Sequence, residues 1–445
     1  MRPTTLIDQF AAALVGRPAL SDSARRAVRL HTLDAIGAWI AGSTTDEGTA
    51  LRRFGASALG GTAADRVAIH SGVTRLSEVD DIHLASIVTP GAVAVPTALT
   101  LAAEMGADPA QVPGAIAAGY EAMVRLGTAL DGATILYRGF WPTYLTAPFG
   151  AAATAARLLG LDETQTANAL ALALSLTAPA LGQNRGPHTS RWLACGLAVR
   201  NGITAALAAR DGHIADRSFL DAHVFATFYP LTADGSKFIN GLGTGDAITD
   251  VSFKPWCAAR QTMAATQAFR EILAEGVPVS DITEITALIP GLQMRMVAPL
   301  PQAGDRISHL VSLPHNLALA AVAPQSLYDV RRAPPSRAAE IQALTAKVKV
   351  QADDNLMTNY PVVWPGKIVV RTREAVHEKT VLHVPGDPPR GFDEAQLLEK
   401  LGHVVSAATS PGIAGAVLAH GHTLLAGEDM VGAAGAALQA AGLAL

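Results

Sequence analysis

Gly139-Phe-Trp-Pro-Thr-Tyr-Leu-Thr-Ala-Pro-Phe-Gly-Ala-Ala-Ala-Thr-Ala-Ala-Arg-Leu-Leu-Gly160 begins as an aromatic and polar turn and runs directly into a helix of small residues. The helix is predicted over Phe149 to Leu159, with Gly160 in the left-handed position that ends many helices. A helix N-terminus has free N–H groups and a positive dipole end, so it collects anions. Trp141, Thr143, Tyr144 and Thr146 sit where such a site would open.

Outward from this stretch the first half of the chain reads as helical. Ser21-Asp-Ser-Ala opens a segment with Ala24, Val28, Ile36, Trp39 and Ile40 at helical spacings, stopped by Gly42. Ala115 to Leu130 is a second helix, broken at Gly132. Asp162-x-x-Gln165 has the form of a capping box for a helix over Glu163 to Leu176, and Ser190 to Arg210 is another, ending at Asp211-Gly212. Alanine dominates these segments, and small side chains let helices approach closely.

The pattern changes after about Gly276. Ile282-Thr-Glu-Ile-Thr-Ala-Leu-Ile and Ala346-Lys-Val-Lys-Val-Gln-Ala alternate as strands do. Lys367-Ile-Val-Val-Arg-Thr-Arg and Lys379-Thr-Val-Leu-His-Val bracket a polar turn, as in a hairpin. Helical stretches fall near Ser312 to Ala323 and Ser336 to Leu344, and Pro385-Gly-Asp-Pro-Pro-Arg-Gly is a loop before helix resumes at Phe392. The expected fold is mainly α with an α+β second domain. A large all-helical domain (1–270, completed by 400–445) carries a smaller α/β lid domain (271–399).

Composition narrows the function. The chain has 445 residues, 49% hydrophobic and only 16% charged, with a formal net charge of −4. Lys and Arg are scattered rather than gathered into the basic face of a nucleic-acid binder, so no nucleic-acid partner is expected. The richest apolar run, Ala167 to Gly182, is too short and too interrupted by Asn168, Ser175, Thr177 and Pro179 to span a bilayer. Asp8 and Gln9 interrupt any secretory h-region, so a cytoplasmic protein without a membrane partner is expected. Cys195 and Cys257 are read as small buried hydrophobes. Gly241-Leu-Gly-Thr-Gly lacks the Lys-Ser/Thr of a phosphate loop, and His420-x-His422 has no acidic neighbour to make it a metal pair.

Four clusters carry possible chemistry. Glu78-Val-Asp-Asp-Ile-His83 puts three carboxylates and an imidazole within six residues, between apolar flanks that favour shifted pKa values. A solvated acidic loop is the alternative. In the Trp141–Tyr144 turn, Tyr144 is either a core aromatic or a general acid or base. Arg185-Gly-Pro-His188-Thr-Ser-Arg191 heads a helix and suits a carboxylate, since Arg grips one with a bidentate fork, although a surface loop reads the same way. Phe253-Lys254-Pro-Trp256-Cys-Ala-Ala-Arg260 places two cations near another helix start.

In this order, the clusters resemble the MmgE/PrpD family, whose members include 2-methylcitrate dehydratase, cis-aconitate decarboxylase and iminodisuccinate epimerase. The resemblance covers nearly the whole chain. It runs through Leu33-Asp-Ala-Ile-Gly-Ala-Trp-Ile-Ala-Gly42, Val79-Asp-Asp-Ile-His83 with Thr89-Pro-Gly-Ala-Val, and Gly119-Tyr-Glu-Ala-Met-Val-Arg-Leu-Gly127. It continues through Gly139–Gly160, Lys254-Pro-Trp, Ser312-Leu-Pro-His315 and Tyr360-Pro-Val-Val-Trp-Pro-Gly-Lys-Ile-Val-Val-Arg. It implies a helical domain with a lid, a homodimer, and an interdomain site that needs no cofactor or metal.

The departures matter as much. Dehydratases and decarboxylases of the family usually have Asp in place of Glu78, His in place of Thr89 and Trp141, Lys in place of Arg191, His in place of Ala194, and Tyr in place of His315. Lys254, Asp80 and Asp81 keep the family type. Removal of a proton alpha to a carboxylate survives these changes, whereas expulsion of hydroxide needs a further acid. The expectation is an epimerase of a dicarboxylic or polycarboxylic acid, with a hydro-lyase of the 2-methylcitrate dehydratase type as the alternative. A third reading is a carboxylate binder without activity. Tyr144 and Lys254 are expected to serve the two faces of the substrate, with His83 and Asp81 as further catalytic candidates. Arg191, His188, Arg260, Trp141, His315 and Glu78 are expected to bind substrate. As a base, Tyr144 needs a lowered pKa, which a cationic pocket would supply.

Overall fold

The structure, a computed structural model, describes residues 4–178, 188–221, 226–227, 231–243, 246–334, 336–427 and 429–445. Its larger part is a bundle of helices around Asp22–Ser43, which is buried over most of its length. Ser21 caps this helix by accepting from the backbone N–H of Ala24. The helices Ala63–Arg75, Gly91–Met105 and Val112–Ala129 pack on it, and Glu394–Ala408 and Pro411–Ala426 return from the far end of the chain to the same core. Ile36, Trp39, Leu401 and Val404 therefore share one apolar cluster.

Small residues set the spacing of this bundle. A Cβ on Gly119 would stand 2.2 Å from Thr154 Oγ1, and one on Gly202 would stand 2.1 Å from the carbonyl oxygen of Pro148. Val112–Ala129 and Ser190–Arg210 can thus press against the intervening helix, Pro142–Leu158. Ser190–Arg210 is long and apolar enough to cross a membrane by length and composition, but half of its apolar window is buried inside the fold.

Two sequence features appear as read: the Asp162/Gln165 capping box is formed, and Gly160 has φ +63°. The helix after Gly139 starts earlier than predicted, with Trp141 as N-cap and Pro142 at its first position. Proline needs no N–H there and its fixed φ suits the first turn, so most of the supposed turn is helix.

The smaller part holds a four-stranded sheet in the order β2-β1-β3-β4. β1 is Glu284–Ile289, β2 Val348–Ala352, β3 Gly366–Arg371 and β4 Val376–Val381. β1 and β2 are parallel, with Ile285 opposite Val348; β3 pairs antiparallel with β1 and with β4. The β3–β4 hairpin is the predicted one, although β4 starts three residues before Lys379. Arg260–Ala274 and Leu313–Val322 cover the sheet, and Met263, Phe269, Ile285, Leu317 and Ile368 form its core. Arg260–Ala274, placed in the first domain by a boundary at 270, packs with the sheet.

Candidate active site

Three helix N-termini converge on one small cavity: Pro142–Leu158, Ser190–Arg210 and Arg260–Ala274 supply Pro142 and Thr143, Arg191, and Arg260 and Gln261 to its wall. Such termini favour an anion. Arg75, at the end of Ala63–Arg75, and Lys254 complete the basic lining, so four cations face the cavity with a single carboxylate, Glu78, among the described residues. The free volume is about 40 Å³, room for a few waters.

Backbone pairing brings Lys254 to Glu78. Ile82 and Ser252 exchange N–H···O bonds of 2.9 and 2.8 Å, and the N–H of Ala258 donates to the carbonyl of Glu78 at 3.2 Å. The Lys254 ammonium then donates to Glu78 Oε2 at 3.3 Å, to the Glu78 carbonyl at 3.3 Å and to Asp80 Oδ1 at 3.5 Å. Arg75 Nη1 lies 3.3 Å from Glu78 and 3.2 Å from Asp80, and Arg191 Nη2 lies 3.7 Å from Glu78. All five side chains are buried.

The two carboxylates respond in opposite directions. Burial opposes the charge of Glu78, but Arg75, Lys254 and Arg191 outweigh it and hold the group below the usual carboxylate range. Asp80 is pushed up, first by burial and then by the charges of Glu78 and Asp81, against the pull of Arg75 and Lys254. Asp80 Oδ2 has no hydrogen-bond partner. Glu78 and Ile87, both lining the cavity, have φ of 55° and 53°. Left-handed backbone at non-glycine residues, a β-branched one included, costs about 1–3 kcal/mol each and clusters at functional sites.

Arg260 Nη2 donates to both Asp387 oxygens, at 2.9 and 2.7 Å, while its buried Nε and Nη1 have no partner. Those donors are suited to a carboxylate entering the cavity. Trp141, in the wall, also keeps an unpartnered buried Nε1–H; it stacks on Tyr144 with ring centroids 5.8 Å apart and lies 5.1 Å from the Arg191 guanidinium. Tyr144 itself is buried behind Trp141, and its hydroxyl lacks a partner. Burial pushes its pKa up despite Arg75 and Arg191, so the lowered value expected from a cationic pocket is not found, and the resting group is a phenol.

Not every candidate reaches this cavity. Asp81 points the other way: it accepts from Tyr120 Oη at 2.5 Å, pairs with His31 Nδ1 at 2.8 Å and accepts from the N–H of Gly91 at 2.9 Å. It fixes the start of Gly91–Met105 and does not line the cavity. His83 Nδ1 bonds Ser86 Oγ at 2.8 Å, and burial lowers its pKa to about 4. His188 and His315 line a separate cavity of about 990 Å³ between the two parts of the molecule, together with His309 and Arg332. There burial, Arg332 and His309 lower the His315 pKa to about 3. Arg185 lies outside the described residues. His420 and His422 sit on Pro411–Ala426, and among the described residues no three His, Cys, Asp or Glu side chains gather as a metal site would require.

Sequence reasoning missed Arg75 and Gln261. Arg75 ends the helix Ala63–Arg75, three residues before Glu78 and five before Asp80, a spacing that would have pointed to it.

The MmgE/PrpD N-terminal domain matches residues 9–238, and the MmgE/PrpD C-terminal domain matches residues 256–412. A cis-aconitate decarboxylase-like protein of Aspergillus oryzae is 32% identical over 152 residues, which is 32% of this chain and 31% of that protein. The matched stretch thus spans under a third of that relative. With both domain matches in order along a helical body and a smaller sheet-bearing domain, the chain belongs to the MmgE/PrpD family.

Proposed function

We propose that this chain is a cofactor-independent epimerase of a dicarboxylic or polycarboxylic acid, similar to the iminodisuccinate epimerase that its sequence resembles. The observation that carries this reading is the cavity wall: four cations, one carboxylate and, among its described residues, no imidazole. Thr89 and Trp141 stand in that wall and are not acids, so it lacks the further acid that a departing hydroxide would need beside Lys254 and Tyr144. A reaction that only takes and returns a proton needs no such acid.

In this mechanism a substrate carboxylate binds the Arg260 donors, with Arg191 and Arg75 beside it. Asp80 accepts a proton from the Lys254 ammonium, and the free amine removes the proton alpha to the carboxylate. The C–H electron pair moves onto the carboxylate as an enediolate, which the arginines stabilise. The Tyr144 phenol, which stands behind Trp141 and does not line the cavity, returns a proton to the opposite face through a water in the cavity, and its phenolate is held by Arg75 and Arg191. Proton exchange with solvent restores both groups. A cytoplasmic homodimer completes the proposal, resting on composition and family resemblance.

The relative's printed name favours a second reading, decarboxylation, and the family resemblance favours a third, loss of water as in 2-methylcitrate dehydratase. Incubation of single stereoisomers of polycarboxylates with the purified protein, followed by chiral separation, decides between them. Interconversion at constant mass supports the epimerase. Loss of CO2, or a new C=C absorbance, overturns it.

A further inference from the structure

The loop Pro385-Gly-Asp-Pro-Pro-Arg-Gly follows β4 and takes no part in the chemistry proposed for Lys254, yet it reaches the cavity wall through one side chain. Asp387 is fully buried and binds Nη2 of Arg260, the residue that opens the helix Arg260–Ala274 and lines the cavity. The loop is locked to itself. Asp387 Oδ2 also accepts from the N–H of Val384 at 2.8 Å, the Asp387 N–H donates to the Val384 carbonyl at 3.1 Å, and the Arg390 N–H donates to the Asp387 carbonyl at 2.7 Å. It is also locked to the segment that carries Lys254: the Phe253 N–H donates to the Gly386 carbonyl at 2.9 Å. Gly386 has φ +95°, and a Cβ there would stand 2.6 Å from the Phe253 carbonyl oxygen, so glycine is what permits this approach.

An arginine stays charged when buried and turns about several bonds. A donor already held in its bound geometry loses less freedom when a ligand arrives. Arg260 is held at Nη2 by Asp387, and its guanidinium carbon lies 5.9 Å from the Trp364 ring, while Nε and Nη1 have no partner among the described residues. We infer that Asp387 is a positioning residue: it fixes the Arg260 guanidinium by one nitrogen and leaves Nε and Nη1 to a substrate carboxylate. Because the same loop bonds Phe253, the smaller domain sets Arg260 and Lys254 against one frame. A plain counter-charge that competes with the substrate has the opposite sign. Removing such a charge would tighten anion binding, since it would leave the arginine's attraction undivided.

The inference rests on reading Arg260 as a carboxylate-binding group, and its test uses binding rather than turnover. Calorimetry with succinate compares the full chain with Asp387→Asn, Arg260→Met and the double variant, and a melting curve is taken for each. Asp387→Asn should weaken succinate about tenfold, and Arg260→Met at least as much. The double variant should be no weaker than Arg260→Met alone, as expected of two residues that act as a unit. A merely structural role would lower the melting temperature and weaken succinate equally with and without Arg260. Where Asp387→Asn does not fold, Asp387→Glu, which keeps the charge and lengthens the arm, takes its place with the same expected loss. Unchanged or tighter binding in the Asp387 variant, losses that add in full, or no binding by the unsubstituted chain would overturn the inference. Coupled losses in a chain that exchanges no alpha proton would leave Asp387 its role and remove the epimerase.

Discussion

Glu78 and Asp81 are three residues apart and lie in different worlds. Glu78 faces a cavity and meets Arg75, Arg191 and Lys254. Asp81 is turned into the helical core, where Tyr120, His31 and the Gly91 N–H use its oxygens. Asp80 lies between them, tied to Lys254 and Arg75 through one oxygen and unpartnered at the other. The left-handed turn at Glu78 helps divide the run. A carboxylate held on both oxygens by three buried partners builds structure. One that shares its cations with an open space is available for chemistry.

The largest effect expected from breaking this contrast is at Lys254. Lys254→Met should cut turnover about a thousandfold, in the range of a lost acid–base group, and Lys254→Arg should keep the fold without restoring the rate. Next is Tyr144→Phe. It should slow turnover about a hundredfold while raising stability by up to about 1 kcal/mol, because a buried hydroxyl without a partner is removed. Kinetics paired with denaturant unfolding checks both arms, and unchanged turnover in the folded variant would take Tyr144 out of the mechanism.

On the structural side of the contrast, Asp81→Asn should cost about 1–3 kcal/mol and leave turnover per folded molecule unchanged. A large fall in rate at full stability would return Asp81 to the catalytic group. Acid unfolding sharpens the same comparison. The carboxyl of Glu78 titrates below its ordinary 4.5 in the folded chain, so the unfolded state binds that proton more tightly. The stability from Glu78 is complete above 4.5 and is lost as pH falls below it. Asp80, raised above its ordinary 3.8, has the opposite slope: its contribution is greatest below 3.8 and declines as pH rises through its folded value. Melting temperature against pH should therefore lose part of its acid decline in Glu78→Gln. Smallest of all, His315→Ala should leave turnover unchanged, since His315 lines the separate, larger cavity.

How much of this was readable beforehand depends on the range of the interactions involved. Caps are local: Asp162 with Gln165, and Ser21 with Ala24, follow from a few adjacent residues. The sheet strands were visible from alternation, because β1 and β3 alternate buried with half-buried residues and β2 and β4 half-buried with exposed ones. The helix start at Pro142 was hidden by polar and aromatic residues that resemble a turn. Glu78, Trp141, Arg191, Lys254 and Arg260 were identified and do share a cavity. Arg75 was missed because, in a helix of mixed polarity, a buried arginine resembles a surface one until its carboxylates are seen folded back onto it. His188 and His315 were grouped with the others by family order, yet chain order says nothing about which of two interdomain cavities a side chain enters.

The most direct test follows the alpha proton itself. Proton NMR in D2O should be run on the unsubstituted chain and on Lys254→Met, each first shown to bind the same polycarboxylate. The expected result is deuterium entering alpha to a carboxylate, with the carbon skeleton intact, in the unsubstituted chain only. Olefinic signals, or equal exchange in both proteins, would contradict a Lys254-centred epimerase.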